Sequence, residues 1–181
     1  MRIRTLFCLL AATLLAASAV SFAQPQTATK SAPIKEGVLT AADVGNNLLP
    51  ERVFFRGQIA PVQARNTGGV RYADGFLVFA GLVDSSGYST AIREKYQAYL
   101  ISEVPVEIGG QTLKPGAYGI GFLEGNRFVV MDLGANDVLK AASAKDAEMK
   151  RPVPLQFTAA SGEGNYRLYH GRDYIEFHRA K

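Results

Sequence analysis

The sequence predicts an all-β domain, mainly antiparallel and arranged as a sandwich or a barrel-like fold, with one short helix around residues 136–149. Its apolar runs are short and are interrupted repeatedly by glycine, proline, asparagine and aspartate, which is the pattern of strands and turns. The eight tyrosines and eight of the ten phenylalanines are spread over almost every one of these runs. Both observations favour many packed strands over a helical bundle.

Eight segments are predicted as strands, because each contains β-branched or aromatic residues and is bounded by residues that form turns. The segments are 52–59, 76–83, 98–108, 117–123, 127–133, 153–158, 166–169 and 173–178.

The segment 98–108 is irregular, because its apolar residues do not follow one alternation and Pro105 lacks the amide hydrogen that a ladder needs. We therefore expect an edge strand or a β-bulge between Glu103 and Pro105. The segment 117–133 is the clearest hairpin, since the tip residues 124–126 stand between two apolar β runs.

The helix expected at 136–149 would begin at Asn136 or Asp137, whose side chain would accept a hydrogen bond from a free backbone amide. Residues 89–97 could form a second, shorter helical turn capped by Ser89. The apolar residues that recur at helical spacing in the first of these segments are Val138, Leu139, Ala142 and Met149.

The first 23 residues have the three-part layout of a signal peptide. Their apolar stretch is too short to cross a bilayer, and Ser21 and Ala23 are the small residues that cleavage after Ala23 requires. Residues 24–36 contain almost no large apolar side chain and read as a flexible leader, so 37–181 should form a single β domain. We therefore expect an exported protein, either periplasmic or secreted.

Cleavage would leave a nearly neutral chain without cysteine, because Arg2, Arg4 and Cys8 all lie in the signal segment. The twenty lysines and arginines would fall to eighteen, against sixteen aspartates and glutamates, for a net charge of +2. Such a charge creates no broad positive field, so no nucleic-acid partner is expected. No later segment is long and apolar enough to predict an integral membrane segment after signal cleavage.

A strand and a glycine turn at 106–110 precede an element with the sequence Leu113-Lys114-Pro115-Gly116-Ala117-Tyr118. This arrangement resembles the Leu-x-(Pro/Ala)-Gly-x-Tyr hairpin motif of a family of uncharacterised exported bacterial β-sandwich domains, over about residues 99–133. The resemblance implies an extracytoplasmic β-sandwich and supplies no catalytic residue.

The densest group of reactive side chains lies near the C-terminus and includes both histidines of the chain. His170 and Asp173 could fold back over Glu176 and His178, and the four would offer nitrogen and oxygen ligands to a divalent metal. The alternative is that Tyr174, Glu176 and His178 form the solvated face of a terminal strand whose other face is buried. The alternative is favoured, because three or four ligands rarely come from one short segment.

Tyr118, Tyr166 and Tyr174 are the candidate ligand-binding residues. Tyrosine combines a flat apolar ring with a polar tip, so an exposed tyrosine can stack on a sugar or line a site for an apolar ligand. The alternative for each of the three is ordinary packing in the core or at the surface.

Nucleophilic and nucleotide-dependent chemistry is not indicated. No serine stands in a Gly-x-Ser-x-Gly elbow, and the glycines at 116–121 precede β-type sequence rather than a helix, so no cofactor is expected. The leading hypothesis is a soluble exported domain that binds a small molecule, a glycan or an envelope protein without catalysis. The alternatives are a structural or interaction subunit of the envelope, and a metal-dependent hydrolase that uses the C-terminal His, Asp and Glu residues.

Overall fold

The computed structural model describes residues 35–181. The predicted signal peptide and nearly all of the predicted leader lie outside these residues. Within them the chain forms two antiparallel sheets and two short helices. This confirms the all-β, mainly antiparallel fold expected from the sequence, and of the two expected forms it is the sandwich. No helix in the described part of the chain combines the length and the apolar character needed to cross a membrane.

In chain order the described elements are β1 (Gly37–Leu39), α1 (Ala41–Leu48), β2 (Arg52–Phe55), β3 (Gln58–Arg71), β4 (Leu77–Val83), α2 (Thr90–Arg93), β5 (Ala98–Ser102), β6 (Val106–Ile108), β7 (Gln111–Leu113), β8 (Gly116–Leu123), β9 (Arg127–Met131), β10 (Asp137–Ala142), β11 (Ala144–Lys145), β12 (Leu155–Ala159), β13 (Asn165–His170) and β14 (Asp173–Arg179).

The larger sheet has the strand order β1-β3-β4-β5-β8-β9-β10, and β2 pairs with β3 outside this path. The smaller sheet has the order β12-β13-β14-β6-β7, and β11 pairs with β14. Apolar side chains from both sheets fill the space between them. The largest fully buried members of this inter-sheet core are Val70, Val78, Val106, Ile120, Phe128, Val130 and Leu168.

The larger sheet is buried on both faces, as the alternation along β4 shows. Val78 and Ala80 face the inter-sheet core, whereas Phe79 and Val83 belong to a second apolar cluster on the opposite face. This outer cluster is covered by α1, by the β2–β3 hairpin and by the segment around α2, which contribute Val44, Leu49, Val53, Phe55, Tyr88 and Tyr96.

Helix α1 was not predicted, although its start carries a recognisable capping signal. Both the backbone amide and the hydroxyl of Thr40 donate hydrogen bonds to Asp43 Oδ2, at 2.8 and 2.7 Å. These contacts fix the first turn, and they hold the pKa of Asp43 below its usual range. Helix α2 lies where a helical turn was expected, with Ser89 at its N-cap position but without a side-chain capping hydrogen bond.

The predicted helix at 136–149 is wrong, because this segment forms β10 and β11. Strand β10 pairs with the edge of β9, with a bulge after Asp137, and this pairing outweighs the helix preference of the alanines. Leu139 is buried at 4% exposure, whereas Val138 is 47% exposed, so the apparent helical spacing does not mark a buried face. The expected cap residue Asn136 instead donates to Asp132.

Two of the predicted strands are also divided. The segment 52–59 is a hairpin, because Arg56 and Gly57 adopt positive φ angles of 46° and 76° and reverse the chain. The segment 98–108 is interrupted near Glu103–Pro105 as expected, but the chain crosses there from the larger sheet to the smaller one. The predicted 117–133 hairpin is confirmed as β8 and β9.

Candidate functional site

Strand β14 separates buried side chains from accessible ones by strict alternation. Ile175 and Phe177 are 3% and 4% exposed in the inter-sheet core. Tyr174, Glu176 and His178 lie on the opposite, outer face of the smaller sheet. The polar side chains of the C-terminal strand therefore form a solvated face, in agreement with the simpler of the two sequence interpretations.

Neighbouring strands extend this face into rows of polar side chains. In one row, His178 of β14 lies opposite both Asn165 of β13 and Glu107 of β6. In the next row, Glu176 lies opposite Arg167. Directly opposed residues of antiparallel strands have Cβ atoms about 4.5–5.5 Å apart, so the side chains in each row can contact one another and a shared ligand.

A groove of about 670 Å³ opens along β14, between the β6–β7 turn and the crossing from β10 to β11. The groove forms because two different strands pair with the same edge of β14. Strand β11 pairs with its first residues and β6 with its last ones, which leaves a gap beside the middle of β14. The polar residues that line the groove are Glu107, Ser143, Asn165, Tyr174, Glu176 and His178.

Glycine lets the β6–β7 turn, which lines the groove, lie close to β10. Gly109 and Gly110 have φ angles of 56° and 76°, which residues with a Cβ adopt rarely. At Gly109 an added Cβ would stand 2.9 Å from the Cβ of Ala141, so only glycine lets the turn approach β10 this closely. The turn is also tied to β10 by a hydrogen bond from the Gln111 side chain to the Lys140 carbonyl, at 2.6 Å.

Arg167 holds both Tyr174 and Glu176 in place. Its Nε and Nη2 atoms lie 2.8 and 2.7 Å from Glu176 Oε1, and its guanidinium carbon lies 4.6 Å from the centre of the Tyr174 ring. The hydrogen bond to Glu176 is the largest cause of the raised pKa of Arg167. The Tyr174 ring also packs 5.0 Å from the ring of Tyr169, whose hydroxyl donates to Asp146 Oδ2.

His178 and Glu107 are cross-strand neighbours in the lining of the groove, with the imidazole Nε2 and the carboxylate Oε2 3.7 Å apart. This separation is too long for a hydrogen bond, so the polar atoms of both side chains can bond to a ligand. The side chains are 45% and 40% exposed. The groove therefore offers carboxylate acceptors, an imidazole, an amide and a fixed aromatic ring to a small polar molecule.

The four predicted metal ligands are not brought together. His170 and Asp173 lie opposite each other on the core-facing side of β13 and β14, whereas Glu176 and His178 point outward, because alternate strand residues face opposite sides. The imidazole of His170 instead stacks on Phe122 of the larger sheet, with the ring centres 5.9 Å apart. Within residues 35–181 no group of three or more His, Cys, Asp or Glu side chains could hold a metal ion.

The three predicted ligand-binding tyrosines also occupy different environments. Tyr174 lines the groove. Tyr166 is only 6% exposed and packs against Phe177 in the inter-sheet core. Tyr118 lies in the larger sheet, and its hydroxyl donates to the Lys114 carbonyl at 2.9 Å. Only Tyr174 of the three presents its ring to the groove.

Within residues 35–181, the apolar cavity between the two sheets is far smaller than the groove. This cavity has a volume of about 10 Å³. This is at the lower limit of what a single water molecule needs. The groove on the outer face is therefore the better candidate site.

Sequence reasoning missed Glu107, Asn165 and Arg167. Glu107 stands between Val106 and Ile108, both buried, so alternation alone could have placed its side chain on the outer face. The register that brings these residues to β14 joins segments that are distant in the sequence, and no local pattern specifies it.

Comparison with known proteins finds no matching family model, no matching curated protein and no matching solved structure. The resemblance of residues 99–133 to a family of exported domains therefore stays a prediction.

Proposed function

We propose that this chain is an exported, non-catalytic domain that binds a carbohydrate or a similar polyhydroxylated molecule in the groove beside β14. The observation that carries the proposal is the ring of Tyr174, which Arg167 holds at the wall of a groove that also presents Glu107, Glu176 and Asn165. Export is proposed from the signal-peptide layout of the first 23 residues.

The chemistry of the groove suits a sugar. A sugar ring has a C–H face that packs on an aromatic ring, and hydroxyl groups that donate to carboxylates and accept from amide and imidazole groups. The volume of about 670 Å³ lies within the range of about 300–1,000 Å³ that is usual for small-molecule sites. The fixed positions of Tyr174 and Glu176 reduce the entropy that these side chains would lose on binding.

Calorimetric titration of the exported chain with a series of neutral mono- and oligosaccharides tests this proposal. At least one member should bind, and Tyr174→Ala should weaken that binding by about tenfold, since an aromatic contact and its buried area contribute about 1.4 kcal/mol. Tyr174→Phe should keep most of the affinity because the ring remains. Phe54→Ala is the control, since Phe54 is 55% exposed on the β2–β3 hairpin and does not line the groove.

Two results would contradict the proposal. One is the absence of saturable binding by every saccharide in the series. The other is binding that Tyr174→Ala leaves unchanged, because the sugar would then occupy a different site.

A second candidate function, an interaction subunit, is favoured by two exposed apolar side chains. Phe54 and Ile59 lie directly opposite each other in the β2–β3 hairpin and are 55% and 63% exposed. The hairpin is held in position because the Arg56 amide donates to the Leu133 carbonyl at 2.8 Å. A photo-cross-linker at position 54 should form a discrete protein adduct in cells, whereas the same group at Val153, 41% exposed, should not. Equal results at both positions would contradict this candidate.

A further inference from the structure

A second crevice, of about 500 Å³, lies between the β8–β9 turn, β10 and Lys95, two residues after α2. Its charged lining residues are Lys95, Arg127, Lys140 and Asp137, which define what we call the basic crevice. None of the four lines the groove beside β14. The basic crevice is therefore a separate candidate site, and it does not depend on the function proposed above.

Asp137 holds the two lysines of the basic crevice close together. The ammonium nitrogens of Lys95 and Lys140 lie 3.1 and 3.0 Å from the same oxygen, Asp137 Oδ2. The two nitrogens are therefore no more than about 6 Å apart. One carboxylate balances only one of the two positive charges, so the pair keeps a net charge of +1.

Arg127 adds a further positive charge with unused donors. Its Nε donates to the Glu124 carbonyl at 3.0 Å, which fixes the plane of the guanidinium group. The terminal nitrogens make no hydrogen bond or ion pair within residues 35–181. A guanidinium group fixed in this way can present two parallel donors to an oxyanion.

The position of Lys95 is built into the fold. The Gln97 side chain donates to the Phe122 carbonyl and accepts from the Phe122 amide, both at 2.9 Å, which fastens the segment after α2 to β8. A Cβ added at Gly121 would stand 2.1 Å from the Lys95 carbonyl oxygen, so glycine is required for this approach. The cationic groups are thus held by the backbone and by neighbouring side chains before any ligand binds.

We propose that the basic crevice binds the phosphoryl group of a small soluble molecule. The net charge of +2 on its four charged residues matches the charge of about −1.5 to −2 on a phosphomonoester near neutral pH. Leu123 and Ala141 in the wall can contact the organic part of the molecule. Glu94 and Glu124 line the adjoining surface with Lys95 and Arg127, and their charges oppose contact with a flat anionic membrane.

Titration of the isotope-labelled exported chain with inorganic phosphate, at an ionic strength fixed with sodium chloride, tests this inference by nuclear magnetic resonance. Backbone amides of residues 125–127 and 140 should show saturable shifts. Arg127→Gln and Lys140→Gln should each weaken binding by about tenfold, which is the effect of losing one charge-assisted hydrogen bond. Lys150→Gln is the matched control, because Lys150 is exposed and lies outside the basic crevice, and it should leave binding unchanged.

Shifts that do not saturate, or equal weakening by all three substitutions, would overturn the inference. Sedimentation with vesicles that contain phosphatidylglycerol separates the two sources of phosphate. Retention on these vesicles without saturable binding of free phosphate would overturn the assignment to a soluble molecule. Tyr174→Ala should not change the phosphate response. The phosphate titration therefore tests the basic crevice independently of sugar binding in the groove.

Discussion

Tyr88 and Tyr96 lie in the same outer apolar cluster, but within residues 35–181 only one of their hydroxyl groups has a hydrogen-bond partner. Tyr88 donates to the Phe55 carbonyl at 2.9 Å. The ring of Tyr96 stacks on Phe55 at 3.9 Å, and its hydroxyl is buried without a partner among the described residues. This burial raises the pKa of Tyr96, because the phenolate would be desolvated.

Removing the Tyr96 hydroxyl should therefore stabilise the protein. We expect Tyr96→Phe to increase the free energy of unfolding by about 1 kcal/mol, since an unpaired buried polar group costs about 1–3 kcal/mol. Tyr88→Phe is the matched control and should decrease it by about 1 kcal/mol, because the Phe55 carbonyl loses its donor. Urea denaturation measures both changes. A loss of stability in Tyr96→Phe would indicate that the hydroxyl is hydrogen-bonded, for example to an internal water molecule.

His170 of the smaller sheet stacks on Phe122 of the larger sheet and should make stability depend on pH. Burial lowers its pKa below the ordinary value of 6.5, and the nearby Asp173 opposes this effect. The unfolded chain therefore binds more protons than the native protein as the pH falls from 6.5 toward the native pKa. The contribution of neutral His170 to stability is complete above pH 6.5 and is lost as the pH falls below it.

We expect the free energy of unfolding to decrease as the pH falls below 6.5 in the wild-type protein, and to change much less in His170→Gln. Urea denaturation at a series of pH values gives the slope for each protein. A wild-type slope that persists in His170→Gln would assign the proton uptake to another group.

The outward-facing residues that β14 contributes to the candidate site could be predicted from the sequence. The residues that the neighbouring strands contribute could not. Alternation predicted that Tyr174, Glu176 and His178 share one face, and they do. The separation of the four predicted metal ligands has the same origin, since alternation together with hairpin register places His170 on the core side. Which distant strand supplies Glu107 depends on long-range pairing, which no local sequence pattern specifies.

At the scale of secondary structure, the sequence analysis failed where long-range strand pairing or close contacts between elements determined the structure. The segment 136–149 has the composition of a helix, but its first residues form β10, which pairs with β9 as the edge strand of the larger sheet. Strand β8 shows the effect of close contacts with neighbouring elements. Gly119 and Gly121 occupy its outer face, where an added Cβ would stand 2.5 Å from the Phe55 ring or 2.1 Å from the Lys95 carbonyl oxygen. The sequence predicts the strand but not these close approaches.

Gly121→Ala should therefore destabilise the protein by about 3 kcal/mol, because a backbone carbonyl cannot move away as a flexible side chain can. Gly87→Ala is the control. The nearest atom to a Cβ at Gly87 is 3.7 Å away, so the change should be below about 1 kcal/mol. Thermal unfolding followed by circular dichroism compares the two variants. Equal stability of both would show that the segment around Lys95 is displaced easily, which would also weaken the argument for a prebuilt basic crevice.

At the scale of the whole molecule, the larger sheet connects two apolar clusters that share no side chain. Neighbouring residues of β4 alternate between the two, so neither cluster can be lost while this strand keeps its packing. Among the described residues, no member of the outer cluster comes from the smaller sheet, and the groove lies along β14 of that sheet. The sequence predicted a sandwich or a barrel-like fold but not that one sheet would be covered on both sides, since that depends on where α1 and the β2–β3 hairpin fold back.

The shared sheet should make unfolding cooperative across both clusters. Phe55 of the outer cluster and Phe128 of the inter-sheet core are 0% and 1% exposed, so Phe55→Ala and Phe128→Ala should each cost about 3–5 kcal/mol. Because β4 belongs to both clusters, each substitution should lower the midpoint of one common transition. Hydrogen exchange of amides in β4 and β14 measures this cooperativity. In both variants the exchange rates of the slowest amides in the two strands should increase by the same factor. If Phe55→Ala accelerated exchange in β4 while β14 kept its protection, the two clusters would be independent units, and the groove could persist without the outer cluster.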